Sequence, residues 1–208
     1  MDDEPLTCGF GCPNPISPKE RAVNELHLQF CSSDEWADAL KQWVVPSALE
    51  GVDLGDDVLE VGPGPGRTTE LLCTMTRHLT AVEVDKGLAD ALTTRMVDRD
   101  VEVVHADASD MPFATARFSA AVSFIMLHHV PTHEKQDRLF AEVARVLRPG
   151  GVLAGADSLD TPEFRDMHQG DTCNPVVPDG LEERLKAAGF AEARVTVNPF
   201  VVEFWARR

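Results

Sequence analysis

Two carboxylates and three glycines have the spacing that nucleoside binding requires. Residues 58–66 read Val-Leu-Glu-Val-Gly-Pro-Gly-Pro-Gly, an apolar strand pattern that runs into Gly62, Gly64 and Gly66 and then into a helix. Absent side chains let a ligand approach the main chain where a following helix presents unpaired N–H groups. An acid about twenty residues further on serves as acceptor for ribose hydroxyls. The segment Val82-Glu83-Val84-Asp85 offers Glu83 for that role, with Asp85 as second choice. Glu60, directly before the turn, is placed to face a positively charged amine across the strand end.

The spacing also excludes chemistry. Gly66 arrives one residue early for Gly-x-Gly-x-x-Gly and Arg67 stands where the third glycine belongs, so a nicotinamide or flavin enzyme is a weaker reading. No Gly-Lys-Ser/Thr follows, so the loop is not a nucleotide-triphosphate cradle. A noncatalytic binding module, with Trp36 and Trp43 forming an interface, is the alternative from a different class.

Among titrating groups, His128 and His129 stand together after an apolar strand, and imidazole changes charge near neutral pH. His129 is the first candidate base. His168, in the polar stretch Leu159 to Pro178, is the second, and that stretch is expected to form part of an acceptor wall. Asp157, His168 and Asp171 suit a metal chemically, yet they form no magnesium motif, and no resident metal is expected. The five cysteines, at 8, 12, 31, 73 and 173, include one half-motif, Cys8-Gly-Phe-Gly-Cys12, without a complement, and read as reduced thiols.

These groups need elements to position them. Val58–Val61, Thr80–Val84, Val101–His105, Ala120–Met126 and Val152–Ala156 read as strands, alternating with helices over 67–77, 86–98, 134–147 and 179–188. Such alternation makes an α/β fold with a mainly parallel sheet covered on both faces. Ala193–Asn198 and Phe200–Ala206, almost contiguous, favour an antiparallel return, and Gly189 reads as the cap of the last helix. Ahead of residue 51 lies an N-terminal extension, an irregular arm followed by helices capped at Ser17 and at Ser32-Ser33. Ala22, Val23, Leu26 and Phe30 should share a buried face, and Pro46 should end or redirect the second helix. Residues 51–208 then make one cofactor-binding domain.

The chain resembles the class I S-adenosylmethionine-dependent methyltransferases over roughly residues 55–206, and most of all the small-molecule branch that includes ubiquinone and menaquinone biosynthesis enzymes. Glu60-Val-Gly-Pro-Gly-Pro-Gly66 is similar to the family's first motif, and Glu83 falls at its ribose-binding position. By the same resemblance Asp107, in His105-Ala-Asp107-Ala108, contacts the adenine amino group and Ala108 lines the ring pocket. Ser123, in Ser123-Phe-Ile-Met-Leu-His-His129, belongs to the strand-four motif beside the sulfonium, and Leu147-Arg-Pro-Gly-Gly151 matches the turn into strand five. The resemblance implies a Rossmann-like sheet of seven strands with an antiparallel last strand, S-adenosyl-L-methionine as cofactor and a small organic acceptor.

Bulk charge agrees. A formal net charge of -16, from 35 acidic and 19 basic residues with no Lys/Arg-rich run, opposes binding to a phosphate backbone. No signal peptide, lipidation signal or long apolar stretch is evident, and the cytoplasm is the expected location.

Overall fold

Alternation of apolar residues along the strands decides which helices cover which face. The structure, a computed structural model, describes residues 23–208. Seven strands form one sheet: β1 (Asp57–Val61), β2 (His78–Glu83), β3 (Val101–His105), β4 (Phe118–Phe124), β5 (Leu147–Ser158), β6 (Glu192–Val197) and β7 (Val201–Arg207). Their order is β3-β2-β1-β4-β5-β7-β6, with β7 antiparallel to both β5 and β6 and every other pairing parallel. The helices are α1 (Glu25–Cys31), α2 (Asp34–Ala39), α3 (Val45–Ala48), α4 (Arg67–Leu72), α5 (Lys86–Arg95), α6 (His133–Val146), α7 (Pro162–Met167) and α8 (Leu181–Ala187).

Leu59, Ala121 and Leu153 point to one side, where Leu139, Phe140 and Val143 of α6 and Leu181 and Leu185 of α8 bury them. Val58, Val122 and Ala154 point to the other, under Val45 of α3, Leu49 and Leu72 of α4. Successive residues on a strand face opposite ways, so each strand feeds both cores. Glu60 shares the Val58 parity and is therefore delivered to the α4 side. A wholly buried leucine such as Leu59 or Leu72 contributes on the order of 2 kcal/mol.

The expected fold class is the one observed, and the strands lie within a few residues of their expected places. The last helix ends as its glycine foretold. Gly189, at φ 112°, donates to the Lys186 carbonyl while Phe190 donates to that of Leu185, the paired bonds of a Schellman cap.

Three local expectations need correction. Pro46 does not end the second helix, because a π-turn over Leu40–Val44 precedes it and Val45 N–H reaches the Leu40 carbonyl. The wider turn takes up the geometry that a proline forces on the preceding carbonyls. The first described helix starts only at Glu25, capped by Asn24, and it exposes Leu26 (79%) while burying His27 (3%). Within the stretch read as irregular, Thr161 caps α7 with Pro162 in its first turn. The helix expected to begin at Ser17, and Cys8 and Cys12, lie outside the described residues. Among the described residues no helix is long and apolar enough to cross a membrane.

Candidate active site

Strand order reverses between β1 and β4, and an open α/β sheet forms its crevice at that point, beyond the carboxyl ends of the strands. The glycine loop sits there. Gly62, Gly64 and Gly66 have φ of 68°, 53° and 81°, a region that costs other residues roughly 1–2 kcal/mol each. A Cβ on Gly62 would lie 2.6 Å from Met126 Cε, and one on Gly66 would meet Arg95 and Leu92, whereas one on Gly64 would meet nothing within 4 Å. Main chain at Gly64 is thus bare and approachable.

Glu83, ending β2, ties this loop to the next one. Its Oε2 accepts from Gly64 N–H at 3.0 Å and its Oε1 from Asp85 N–H at 2.9 Å, leaving a second lone pair on each oxygen. Burial pushes its pKa above the ordinary value, and the two N–H donors oppose that shift only in part.

Glu60 is 1% exposed and turned toward α4, where the Thr68 hydroxyl donates to Oε1 and the Thr69 hydroxyl to Oε2 at 2.6 Å. Burial, with a smaller push from Glu83, raises its pKa to about 7 although both hydroxyls favour the charged form. A carboxyl whose folded pKa lies above its unfolded value lends its stability below the unfolded pKa, near 4.5, and loses it as pH rises through about 7. Glu60→Gln is therefore expected to gain roughly 2–3 kcal/mol relative to the parent between about pH 5 and about pH 8. Denaturant unfolding at both pH values tests this, and a constant difference would refute the buried-acid account.

Asp107 follows β3 in a half-exposed position. Its Oδ1 accepts from the main-chain N–H and hydroxyl of Ser109, and its Oδ2 pairs with Lys135 Nζ at 2.7 Å. Burial alone would raise its pKa, but Lys135 and Ser109 together bring it below the ordinary value. Ala108 packs beside it against the core under α6. Ser123, near the end of β4, is 2% exposed, and its hydroxyl oxygen has no hydrogen-bond partner among the described residues.

Beyond β4 the chain takes a strained corner. Ile125 has φ 53°, uncommon for a β-branched residue, and its N–H is held by the Ala156 carbonyl at 2.8 Å. A single 3₁₀ turn, Leu127–His129, follows. Asp157 at the end of β5, itself buried, fastens that turn by accepting from Leu127 N–H at 2.7 Å and pairing with His128 Nδ1 at 2.6 Å. Buried Gln136 fastens it from α6, donating to the carbonyls of Leu127 and Asn174.

The structure brings His129 and His168 together, and adds His128 and His27 beside them. Burial, followed by the neighbouring His128 and His27, drives the His129 pKa down to about 2. Held neutral so firmly, it is a poor proton acceptor near pH 7, while its lone pair stays available to a Lewis acid. Asp157 and Asp171, weighed as ligands beside His168, stand behind His128 and His27 as hydrogen-bond partners instead. Cys31 remains a thiol, its pKa pushed up to about 12 by burial and by Asp171.

His27, Lys135, Thr68 and Thr69 were not singled out in the sequence. Thr68 and Thr69 had a usable signal, since hydroxyls in the first turn after the loop face an acid of the right strand parity. A separate cavity of about 630 Å³ opens at the amino ends of the strands, by Gly55, Ser119, Gly151 and Arg194, away from all of these groups.

Residues 59–155 match the family described as Methyltransferase domain. Over that span, a little under half of the chain, the sequence is similar to the family, and the strand order and glycine loop agree with the likeness. Over 150 residues the chain is 28% identical to "Sterol methyltransferase-like 1" of Botryococcus braunii, covering 67% of this chain and 38% of that protein. Over 120 residues it is 32% identical to "Demethylmenaquinone methyltransferase" of Clavibacter sepedonicus, covering 57% of this chain and 45% of that one. The chain thus spans less than half the length of these two relatives. The crystal structure of an S-adenosylmethionine-dependent methyltransferase from Aquifex aeolicus has a TM-score of 0.69 at 17% identity over 93% of this chain and 99% of that one, a likeness of fold.

Proposed function

We propose that the protein transfers a methyl group from S-adenosylmethionine to a small organic acceptor, with release of S-adenosylhomocysteine, in the cytoplasm. The observation that carries this reading is Glu83, a buried carboxylate with spare lone pairs on both oxygens, hydrogen-bonded to the glycine loop at the strand-order reversal.

The electrophilic methyl is supplied by the cofactor's sulfonium, and the chain contributes placement. Bare main chain at Gly64 accommodates the amino-acid tail, and Glu60 compensates its ammonium from behind the loop. Glu83 accepts the two ribose hydroxyls, a task suited to an acceptor-only group. Asp107 accepts the adenine amino group with the lone pairs left over from Ser109 and Lys135, and Ala108 offers a flat apolar wall. The unpaired Ser123 hydroxyl lies beside the reacting end. Methyl transfer of this kind depends mainly on holding a nucleophile in line and excluding water. His129 and His168 border the acceptor side and act there by contact and orientation.

Titration calorimetry with S-adenosylmethionine and with nicotinamide dinucleotides, followed by transfer of a labelled methyl group into a metabolite extract, tests the reading. Binding of the first cofactor alone and a labelled small product are the expected results. Binding without any labelled product would leave a noncatalytic module. Asp107→Ala is expected to weaken cofactor binding about tenfold, the worth of one hydrogen bond to a charged acceptor. Unchanged affinity would detach Asp107 from the adenine.

A further inference from the structure

Four imidazoles from three separate parts of the chain meet at one point: His27 from α1, His128 and His129 from the turn after β4, and His168 closing α7. One ring nitrogen of each lies within 4.8 Å of the other three. His27, His128 and His168 are buried and His129 is nearly so.

In every ring Nδ1 faces an acceptor. For His27 it is Asp171 Oδ2 at 3.0 Å and for His128 Asp157 Oδ1 at 2.6 Å. For His129 it is the Thr172 carbonyl at 3.2 Å and for His168 the Phe164 carbonyl at 2.6 Å. Carbonyls and ionised carboxylates only accept, so Nδ1 carries the proton in all four rings and the lone pair resides on Nε2. The buried Nε2 atoms of His128 and His168 have no hydrogen-bond partner among the described residues. Converging lone pairs without a donor are costly in a dry site, and a cation removes that cost.

The ring spacing suits such a cation. Around a tetrahedral ion with bonds of about 2.0–2.1 Å, four imidazole centroids stand about 5 Å apart. Here the six centroid separations run from 4.1 to 6.3 Å. Behind the rings stand two carboxylates and two carbonyls, the partners that metal-bound histidines take for their other nitrogen.

We propose that His27, His128, His129 and His168 bind one divalent transition-metal ion of the zinc class through Nε2, and that the ion pins α1 to the loops beyond β4 and β5. Imidazole donors select such ions over magnesium and calcium, which take oxygen ligands. Asp157 and Asp171 balance the two positive charges without touching the ion. With all four positions filled by protein, the centre is of the closed, structural kind. The assignment shares His129 and His168 with the acceptor side of the proposed methyltransferase site, but none of the residues proposed to hold the cofactor enters it.

The test uses the whole 208-residue chain, stripped with chelator and titrated with Zn²⁺, with Co²⁺ as a spectroscopic reporter. The expected results are one ion per chain, the intense visible bands of four-coordinate Co²⁺, a higher unfolding midpoint with zinc, and at least hundredfold weaker binding in His27→Ala. His129→Gln provides the same comparison should His27→Ala fail to fold. A folded protein that takes up well under one equivalent, a six-coordinate cobalt spectrum, or unchanged zinc affinity in the folded variants would overturn the assignment. Calorimetry with S-adenosylmethionine on the same samples keeps the two readings apart: zinc binding without cofactor binding sinks only the methyltransferase proposal, and the converse sinks only the metal.

Discussion

Glu83→Ala is expected to weaken S-adenosylmethionine binding about a hundredfold, equivalent to about 2.7 kcal/mol. Two losses combine in it. The ribose hydroxyls lose a charged acceptor, and hydrogen bonds to charged groups contribute roughly 1.5–3 kcal/mol apiece. The N–H groups of Gly64 and Asp85 also lose their shared partner, so the loop and the β2–α5 turn are no longer tied together. Glu83→Gln separates these effects in part, because a neutral amide keeps the volume and one acceptor oxygen while its NH2 turns against the other N–H donor. It should cost less stability than Glu83→Ala while still losing most of the affinity. Calorimetry beside a denaturant curve reads both quantities. Native affinity in a folded Glu83→Ala protein would remove the carboxylate from the ribose site and with it the core of the functional proposal.

The largest effect on stability is expected at Gly155. A Cβ there would lie 1.9 Å from the Ser123 carbonyl oxygen and 2.9 Å from Phe204 Cζ. Gly155 sits inside β5, paired with Ser123 of β4 on one side and Phe204 of β7 on the other, so the obstructing atoms belong to the ladder itself. Overpacking of a well-filled core costs typically 1–3 kcal/mol, and main chain yields less readily than a side chain. Gly155→Ala should therefore cost at least about 3 kcal/mol or prevent folding. Gly64→Ala is the control, with open space around its Cβ and only the left-handed conformation to strain, about 1 kcal/mol. Equal unfolding midpoints for the two variants would show that the sheet spreads at β4 and β5 and that the close approach does not hold in solution.

These two positions also show what sequence reveals and what it hides. Glu83 and the loop glycines are legible because strand, turn and acid are local features at fixed offsets. Gly155 lies in Val-Leu-Ala-Gly-Ala, which reads only as buried strand; its constraint comes from the register of three strands. The histidine cluster is hidden for a similar reason. His27 and His168 are 141 positions apart along the chain, and no periodicity connects them. In α1 the hydrophobic pattern even argued for the wrong face, since Leu26 is exposed and the buried residue is the polar one. Burial of His27 follows from Asp171, a partner that only the fold brings near. α7 was within reach, because Thr161-Pro162 is a start signal, but six residues burying Phe164 alone leave too little periodicity to read.

Ile125 bears on how this sequence can drift. Glycine or asparagine would sit more comfortably at φ 53°, so ordinary pressure for a sturdier protein points toward either. Yet the Ile125 side chain packs against the core on the α3 side, and glycine or asparagine would surrender that contact. At one α-carbon, backbone ease and side-chain packing pull in opposite directions.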